Sequence, residues 1–146
     1  MPNPARSMAL CCLTALAALL VVGMVSHGVL RHVAQTLPLW GPVLLGLRKS
    51  ELAKWAALPC LIFWLGIMAL IWLYLAGLLR VITGSFSPVE IAMTVVVGAA
   101  SLCGLVVGFR WRTAVRPWPA AAAVSVFALL QVLALRLSLL PSIAHR

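Results

Sequence analysis

Carboxylates are almost missing from this chain: of 146 residues only Glu51 and Glu90 are acidic, against eleven Lys or Arg. A proton-coupled exporter of the small multidrug type needs a buried carboxylate in its first span, and the first apolar stretch holds none. A metal transporter needs clustered carboxylate, His or Cys ligands at mid-membrane, which are equally lacking. Cysteine is limited to Cys11, Cys12, Cys60 and Cys103, all inside apolar stretches without a C-x-x-C pair, so a thiol oxidoreductase is not expected. Neighbouring Cys11 and Cys12 point to different sides of a helix, where a bridge between them is strained. No glycine-rich loop ending in lysine is there to cradle a phosphate, and the two halves of the apolar pattern show no internal repeat. Neither an enzyme nor a resident cofactor is expected.

What the chain has in abundance is uninterrupted apolar sequence. Hydrophobic residues make up 64% and the mean hydropathy is +1.15, above the ~45–50% apolar content of soluble domains. Four uncharged stretches, Ala9–Leu30, Ala56–Leu79, Ile91–Phe109 and Ala120–Leu135, are each about long enough to cross a ~30 Å hydrocarbon layer as a helix. The pattern predicts an all-α integral membrane protein, four transmembrane helices in an antiparallel bundle. Residues 1–146 form a single polytopic domain with spans at 9–30, 56–79, 88–109 and 120–140 and short connectors. Arg6 ahead of an apolar run raises a signal peptide, but the run is long and Val25-Ser26-His27-Gly28 offers no small-x-small cleavage site, so the first span is read as retained.

Leu37–Leu47 is an apolar run of a different kind. It is eleven residues long and carries Pro38 and Pro42, where interior prolines each cost ~3 kcal/mol and a crossing helix needs about 17 residues. It is therefore expected to lie at the interface, with Trp40 at headgroup depth; the alternative is a re-entrant segment.

The net charge of +9 suits anionic lipid headgroups at the span ends rather than nucleic acid. With four crossings, Arg31, Arg48, Lys49, Lys54, Arg110, Arg112 and Arg116 share one side, against Arg6, Arg80, Arg136 and Arg146 on the other. That bias puts loops 31–55 and 110–119 in the cytoplasm, both termini outside, and the chain in a bacterial inner membrane. Arg48, Lys49, Lys54 and Trp55 form one lipid-interface belt, and Arg110, Trp111, Arg112, Arg116 and Trp118 form a second on the same side.

Ser87-Pro88-Val89-Glu90 has the spacing of a capping box with proline at the first helical position, so span three starts at Pro88. Capping at the membrane edge accounts for Glu90 better than proton carriage does. Thr83-Gly84-Ser85, preceded by Arg80, is expected to end span two, which makes spans two and three a hairpin. Within span three, Ala100, Gly104 and Gly108 recur every fourth residue, a stripe that lets two backbones approach closely. Its partner is span two through Gly66, span four through Ala121, Ser125 and Ala128, or the same stripe on another copy, with packing inside one chain favoured.

Few ionisable groups fall at membrane depth. Arg136 is close enough to the end of its span to snorkel outward. His27 and Arg31, four apart, are expected on one face of span one, with His32 facing elsewhere. Gly28-Val29-Leu30-Arg31-His32 resembles, over five residues, a Gly-x-Arg-His stretch of the cytochrome b anchor subunits of succinate dehydrogenase. Its histidine spacing is shorter and the following acidic residue is absent, so no family site is carried over. The leading functional expectation is an accessory or scaffold subunit that binds another integral membrane protein or itself. The alternatives are a permease or channel-like component, and a quinone or haem anchor through His27 and Arg31.

Overall fold

A computed structural model describes residues 3–79, 86–140 and 143 of the chain, and among them it contains five α-helices: α1 (Pro4–Val25), α2 (Val29–Leu47), α3 (Leu52–Leu75), α4 (Pro88–Arg110) and α5 (Pro117–Ser138). Four of them, α1, α3, α4 and α5, are long and apolar enough to cross a membrane. Arg80, Thr83, Gly84, Ser85, His145 and Arg146 lie outside the described residues.

Local chemistry explains where the helices start and stop. Asn3 accepts from the Ala5 amide at 3.0 Å ahead of Pro4. At α4 the Ser87 hydroxyl accepts from the Glu90 amide at 3.2 Å while Glu90 Oε2 accepts from the Ser87 amide at 2.7 Å. Pro117 opens α5. Three helices end in the same way, with one left-handed residue and a pair of reverse bonds. After α1, His27 has φ 55 and the Gly28 amide bonds to the Gly23 carbonyl. After α2, Lys49 has φ 56 and Ser50 bonds back to Leu45. After α3, Gly77 has φ 76 and Leu78 bonds back to Leu73. These are Schellman closures, which occupy the last carbonyls of each helix. They shift two spans towards the N-terminus: α1 ends at Val25 rather than near Leu30, and α3 ends at Leu75 rather than near Leu79.

The largest departure from expectation is at residues 37–47, which are not a short segment of their own. They are the second half of α2, a 19-residue helix with Pro38 and Pro42 inside it. Both prolines are buried, together with Gln35, Leu39, Val43 and Gly46, at the 3- and 4-residue spacing of one helical stripe. The proline penalty of an isolated helix is offset here because the prolines pack against neighbouring helices. The Gln131 amide of α5 also donates to the Gln35 carbonyl at 3.3 Å, one turn before Pro38.

Helices α1 to α4 close a ring: α1 packs on α2, α2 on α3, α3 on α4 and α4 on α1, with α1 also meeting α3 across the middle. The fifth helix lies outside that ring, against α2 and α3. Tight approaches fix which ends meet. A Cβ on Gly46, near the end of α2, would come 2.5 Å from the Ala5 carbonyl at the start of α1; one on Gly23, near the end of α1, would come 2.8 Å from His32 Cβ. On α4, a Cβ on Gly108 would meet Met8 and Leu58, and one on Gly104 would meet Leu61 and Cys11. The Gly104–Gly108 stripe thus lies against α1 and α3 of the same chain, while Gly66 has nothing within 4 Å. The apolar core, including Met8, Cys12, Leu39, Leu61 and Val97, fills the ring.

Candidate functional site

The first turns of α2 and α4 place Arg31, His32 and Glu90 at one end of the ring, and the wall they form belongs to a cavity of about 450 Å³. The cavity begins beside the exposed Ser26 and Arg31 and continues past Gln35 and Thr94 to Trp64. At 1.5 Å per residue, Trp64 lies about 16 Å along α3 from that helix's end, close to half of a ~30 Å layer. Aliphatic and aromatic side chains such as Phe63, Met68 and Val97 fill the spaces between the polar groups. The result is a vestibule with a charged rim, polar groups half-way down and an indole at its floor.

Most polar groups on this wall are already engaged. Thr94 Oγ1 accepts from the Trp72 indole at 3.0 Å and donates to the Ile91 carbonyl at 2.7 Å. Gln35, 6% exposed, donates through its amide to Ser138 at 2.9 Å. His32 Nδ1 lies 3.0 Å from the Gly28 carbonyl; since a carbonyl only accepts, Nδ1 carries the proton and Nε2 is left free. One oxygen of Glu90 is held by the Ser87 amide. Among the buried polar groups of this wall the exception is Trp64: the residue is 3% exposed and its Nε1 is buried with no hydrogen-bond partner. A buried indole N–H normally finds an acceptor.

The positions singled out in the sequence are distributed differently from expectation. His27 and Arg31 do not share a face of one helix. His27 is exposed in the left-handed turn after α1, and Arg31 is in α2. Arg31 lines the vestibule, and so does His32, which was expected to face away. Glu90 lines it too while serving as a cap.

The two basic and aromatic clusters meet at the opposite end of the ring. Lys54 Nζ donates to the Trp111 carbonyl at 2.7 Å and lies 4.7 Å from the centre of the Trp55 ring. Trp55 Nε1 donates to Thr113 at 3.2 Å, and Glu51 accepts from the Ala114 amide at 2.8 Å. Arg48, Lys49, Arg110, Arg112, Arg116 and Trp118 are exposed around this clasp. Ala100, Gly104 and Gly108 are buried along α4, with Gly108 in its last turn.

Sequence reasoning missed Trp64, Gln35, Thr94 and His32 as companions. The readable signal was Gln35, a polar residue set at helical spacing from Leu39, Pro42 and Gly46. Nothing local marks Trp64 as different from the five other tryptophans. Among the described residues no three His, Cys, Asp or Glu side chains gather as a metal site. What the vestibule offers chemically is a set of hydrogen-bond donors, one cation and one carboxylate around an apolar channel.

Comparison with protein-family models, curated proteins and solved structures gives no match to this chain.

Proposed function

We propose that this chain is a membrane protein with five crossings that admits a small ligand into the vestibule from the non-cytoplasmic side, the role of a permease-like or ligand-binding component. The single observation that carries this reading is the cavity of about 450 Å³ that runs from the exposed Ser26 and Arg31 past Gln35 and Thr94 to Trp64.

Crossing by α2 has its own support. Nineteen residues at 1.5 Å rise make about 28 Å, enough for the hydrocarbon layer. Its polar members Arg31, His32 and Gln35 line the vestibule rather than an outer face, where ionisable groups in membrane helices are usually found. Five antiparallel crossings put the termini on opposite sides. Arg6, Arg48, Lys49, Lys54, Arg110, Arg112 and Arg116 then fall at one end, with Arg31 and Arg136 at the other among the described residues. The positive-inside tendency assigns the first end, with 48–55 and 110–119, to the cytoplasm. In a bacterium that membrane is the inner one.

A second reading, the accessory subunit, draws support from α5. It stands outside the ring and buries only Ala120, Gln131, Ala134 and Ser138 in the described structure, leaving Leu129, Leu133 and Leu137 on its outer face. Crosslinking from Leu133→Cys in native membranes to another polypeptide, or to a second copy, is the outcome that reading requires.

The vestibule reading is tested by introducing cysteine at Ser26, Gln35 and, as a lipid-facing control, Gly66, with the unmodified chain as background. A membrane-impermeant maleimide added from the non-cytoplasmic side is expected to label Ser26→Cys readily, Gln35→Cys more slowly and Gly66→Cys not at all. Absence of labelling at both Ser26→Cys and Gln35→Cys from either side overturns it.

A further inference from the structure

All four cysteines are free, and although they are spread from position 11 to position 103, the fold gathers them at one depth. Cys11 and Cys12 stand seven and eight residues from Pro4 at the start of α1, Cys60 eight from Leu52 at the start of α3, and Cys103 seven from Arg110 at the end of α4. Those three helix ends share the clasp end of the ring, so every thiol lies roughly 11 Å in along its helix. The four form a row across α3, α1 and α4: Cys12 interacts electrostatically with Cys60 and with Cys11, and Cys11 with Cys103. We propose that the outer pair of this row, Cys11 and Cys103, is a redox site facing the lipid, where loss of hydrogen atoms to lipid-borne peroxyl radicals closes a disulfide between α1 and α4. This is independent of the vestibule and of what enters it.

Exposure separates this pair from the other. Cys12 and Cys60 are fully buried in the core, whereas Cys103 is exposed and Cys11 half-buried. Both line a second groove, of about 420 Å³, between α1 and α4 on the outside of the ring, together with Leu10, Thr14, Ala99 and Ala100. The groove has no charged side chain, and Leu10 at its margin is exposed, so an acyl chain is the natural occupant of its mouth. The helices are closest beside the pair: a Cβ on Gly104 would come 3.2 Å from Cys11 Cβ, and Cys103 is the preceding residue, 1.5 Å away along the axis. The glycine contact draws the two backbones together, toward the Cβ separation of about 3.5–4.5 Å that a disulfide spans.

The surroundings also select the oxidant. Thiol–disulfide exchange runs through a thiolate, and forming an unpaired charge in hydrocarbon is costly. Hydrogen-atom transfer needs no charge. A peroxyl radical on an unsaturated acyl chain takes the hydrogen atom of one thiol, leaving a thiyl radical and a lipid hydroperoxide. A second peroxyl radical takes the hydrogen of the other thiol, and the two unpaired sulfur electrons become the S–S bond. Two thiols are oxidised, two peroxyl radicals are reduced to hydroperoxides, and no proton or charge is left in the membrane. The bond would lie on the α4–α1 junction, where the first and last helices of the ring meet, so it would lock the ring at its seam.

The test uses the full chain in liposomes of unsaturated phosphatidylcholine, exposed in air to a lipid-soluble azo initiator. Alkylation after denaturation is expected to count two free thiols per chain in place of the original four. The intact mass should fall by two hydrogen atoms, digestion should release a Cys11–Cys103 linked peptide, and reduction should restore all four thiols. Cys12→Ala and Cys60→Ala should form the same bond. Cys11→Ser and Cys103→Ser should each keep their three remaining thiols; Cys103 is exposed on the outer face, so its variant leaves the core packing in place. A charged initiator confined to the water around liposomes of saturated lipid should leave all four thiols intact. Equal oxidation by those aqueous radicals overturns the lipid route. Persistence of four thiols under the lipid-soluble initiator overturns the inference, as does a Cys12–Cys60 link, a link between two copies through Cys103, or oxidation of the pair to separate sulfinic acids.

Discussion

The Gln35 amide donates to the Ser138 hydroxyl at 2.9 Å, joining side chains 103 positions apart in the chain and tying the outer helix α5 to α2. Ser138 in turn donates to the Leu135 carbonyl at 2.7 Å, and Gln131 reaches the Gln35 carbonyl at 3.3 Å. Hydrogen bonds between membrane helices contribute about 0.6 kcal/mol on average and up to about 1.7. Gln35→Leu is therefore expected to lower the unfolding free energy by roughly 1 kcal/mol. Gln131→Leu should be close to neutral, because that amide makes one long bond and buries an oxygen with no partner. Unfolding of the reconstituted protein by SDS compares the two; equal losses would mean that the polar contacts do not hold α5.

Three glycines of similar sequence context should respond differently to alanine. At Gly46 the new Cβ meets the Ala5 carbonyl oxygen at 2.5 Å and Ala9 Cβ at 2.8 Å, both on a neighbouring helix that has to move. A loss of about 1–3 kcal/mol is expected, the usual cost of overpacking. At Gly104 the obstacle at 2.5 Å is the tip of Leu61, which can rotate, with Cys11 Cβ at 3.2 Å, so the loss should be smaller. Gly66→Ala enters open space and gains up to about 1 kcal/mol of helix propensity. Thermal melts in mild detergent that fail to rank the three as Gly46, Gly104, Gly66 would contradict this packing.

His27→Gly is expected to stabilise the protein by about 0.5–1 kcal/mol, since a left-handed backbone costs a residue with a Cβ about 1–2 kcal/mol. The residue is exposed and does not line the vestibule. The same substitution should leave maleimide labelling of Gln35→Cys unchanged. A loss of stability, or of labelling, would return His27 to the candidate site.

Sidedness is the fourth prediction. With five crossings an N-terminal reporter should be active only in the cytoplasm and a C-terminal alkaline phosphatase only outside it. Both ends reporting from one compartment would reinstate four crossings, with α2 kept on the surface.

Much of the architecture was legible before any coordinates. The four apolar stretches correspond to α1, α3, α4 and α5, because in hydrocarbon a long uncharged run has few alternatives to helix. The Ser87–Glu90 spacing is a local signal, and the bonds it predicts are made by those two residues. Two things were not legible. The helix ends at Val25 and Leu75 are set by backbone closures that place a histidine and a glycine in left-handed conformations, which apolar runs do not encode. The other was α2: its prolines cost what they do in an unpacked helix, and only the surrounding helices remove the objection. Counting the run from Leu37 also discarded Gln35 and Thr36, whose burial continues the same stripe. The cavity wall depends on that helix, and apolar runs alone do not place Arg31 beside Gln35 and Glu90.

The placement of α2 has a consequence for biogenesis. With an arginine, a histidine, a glutamine and two prolines, it is a poor candidate to partition from the translocon into lipid unaided. If α2 crosses as proposed, it enters as a hairpin with α1, against which it packs at both ends through the Gly46 and Gly23 contacts. Gln35 then has no Ser138 hydroxyl to donate to until α5 has been made, 103 positions later. Truncation ahead of α5 therefore strands a polar amide in the membrane, and a quality-control protease that recognises such exposed polar groups would read the shortened product as unfinished.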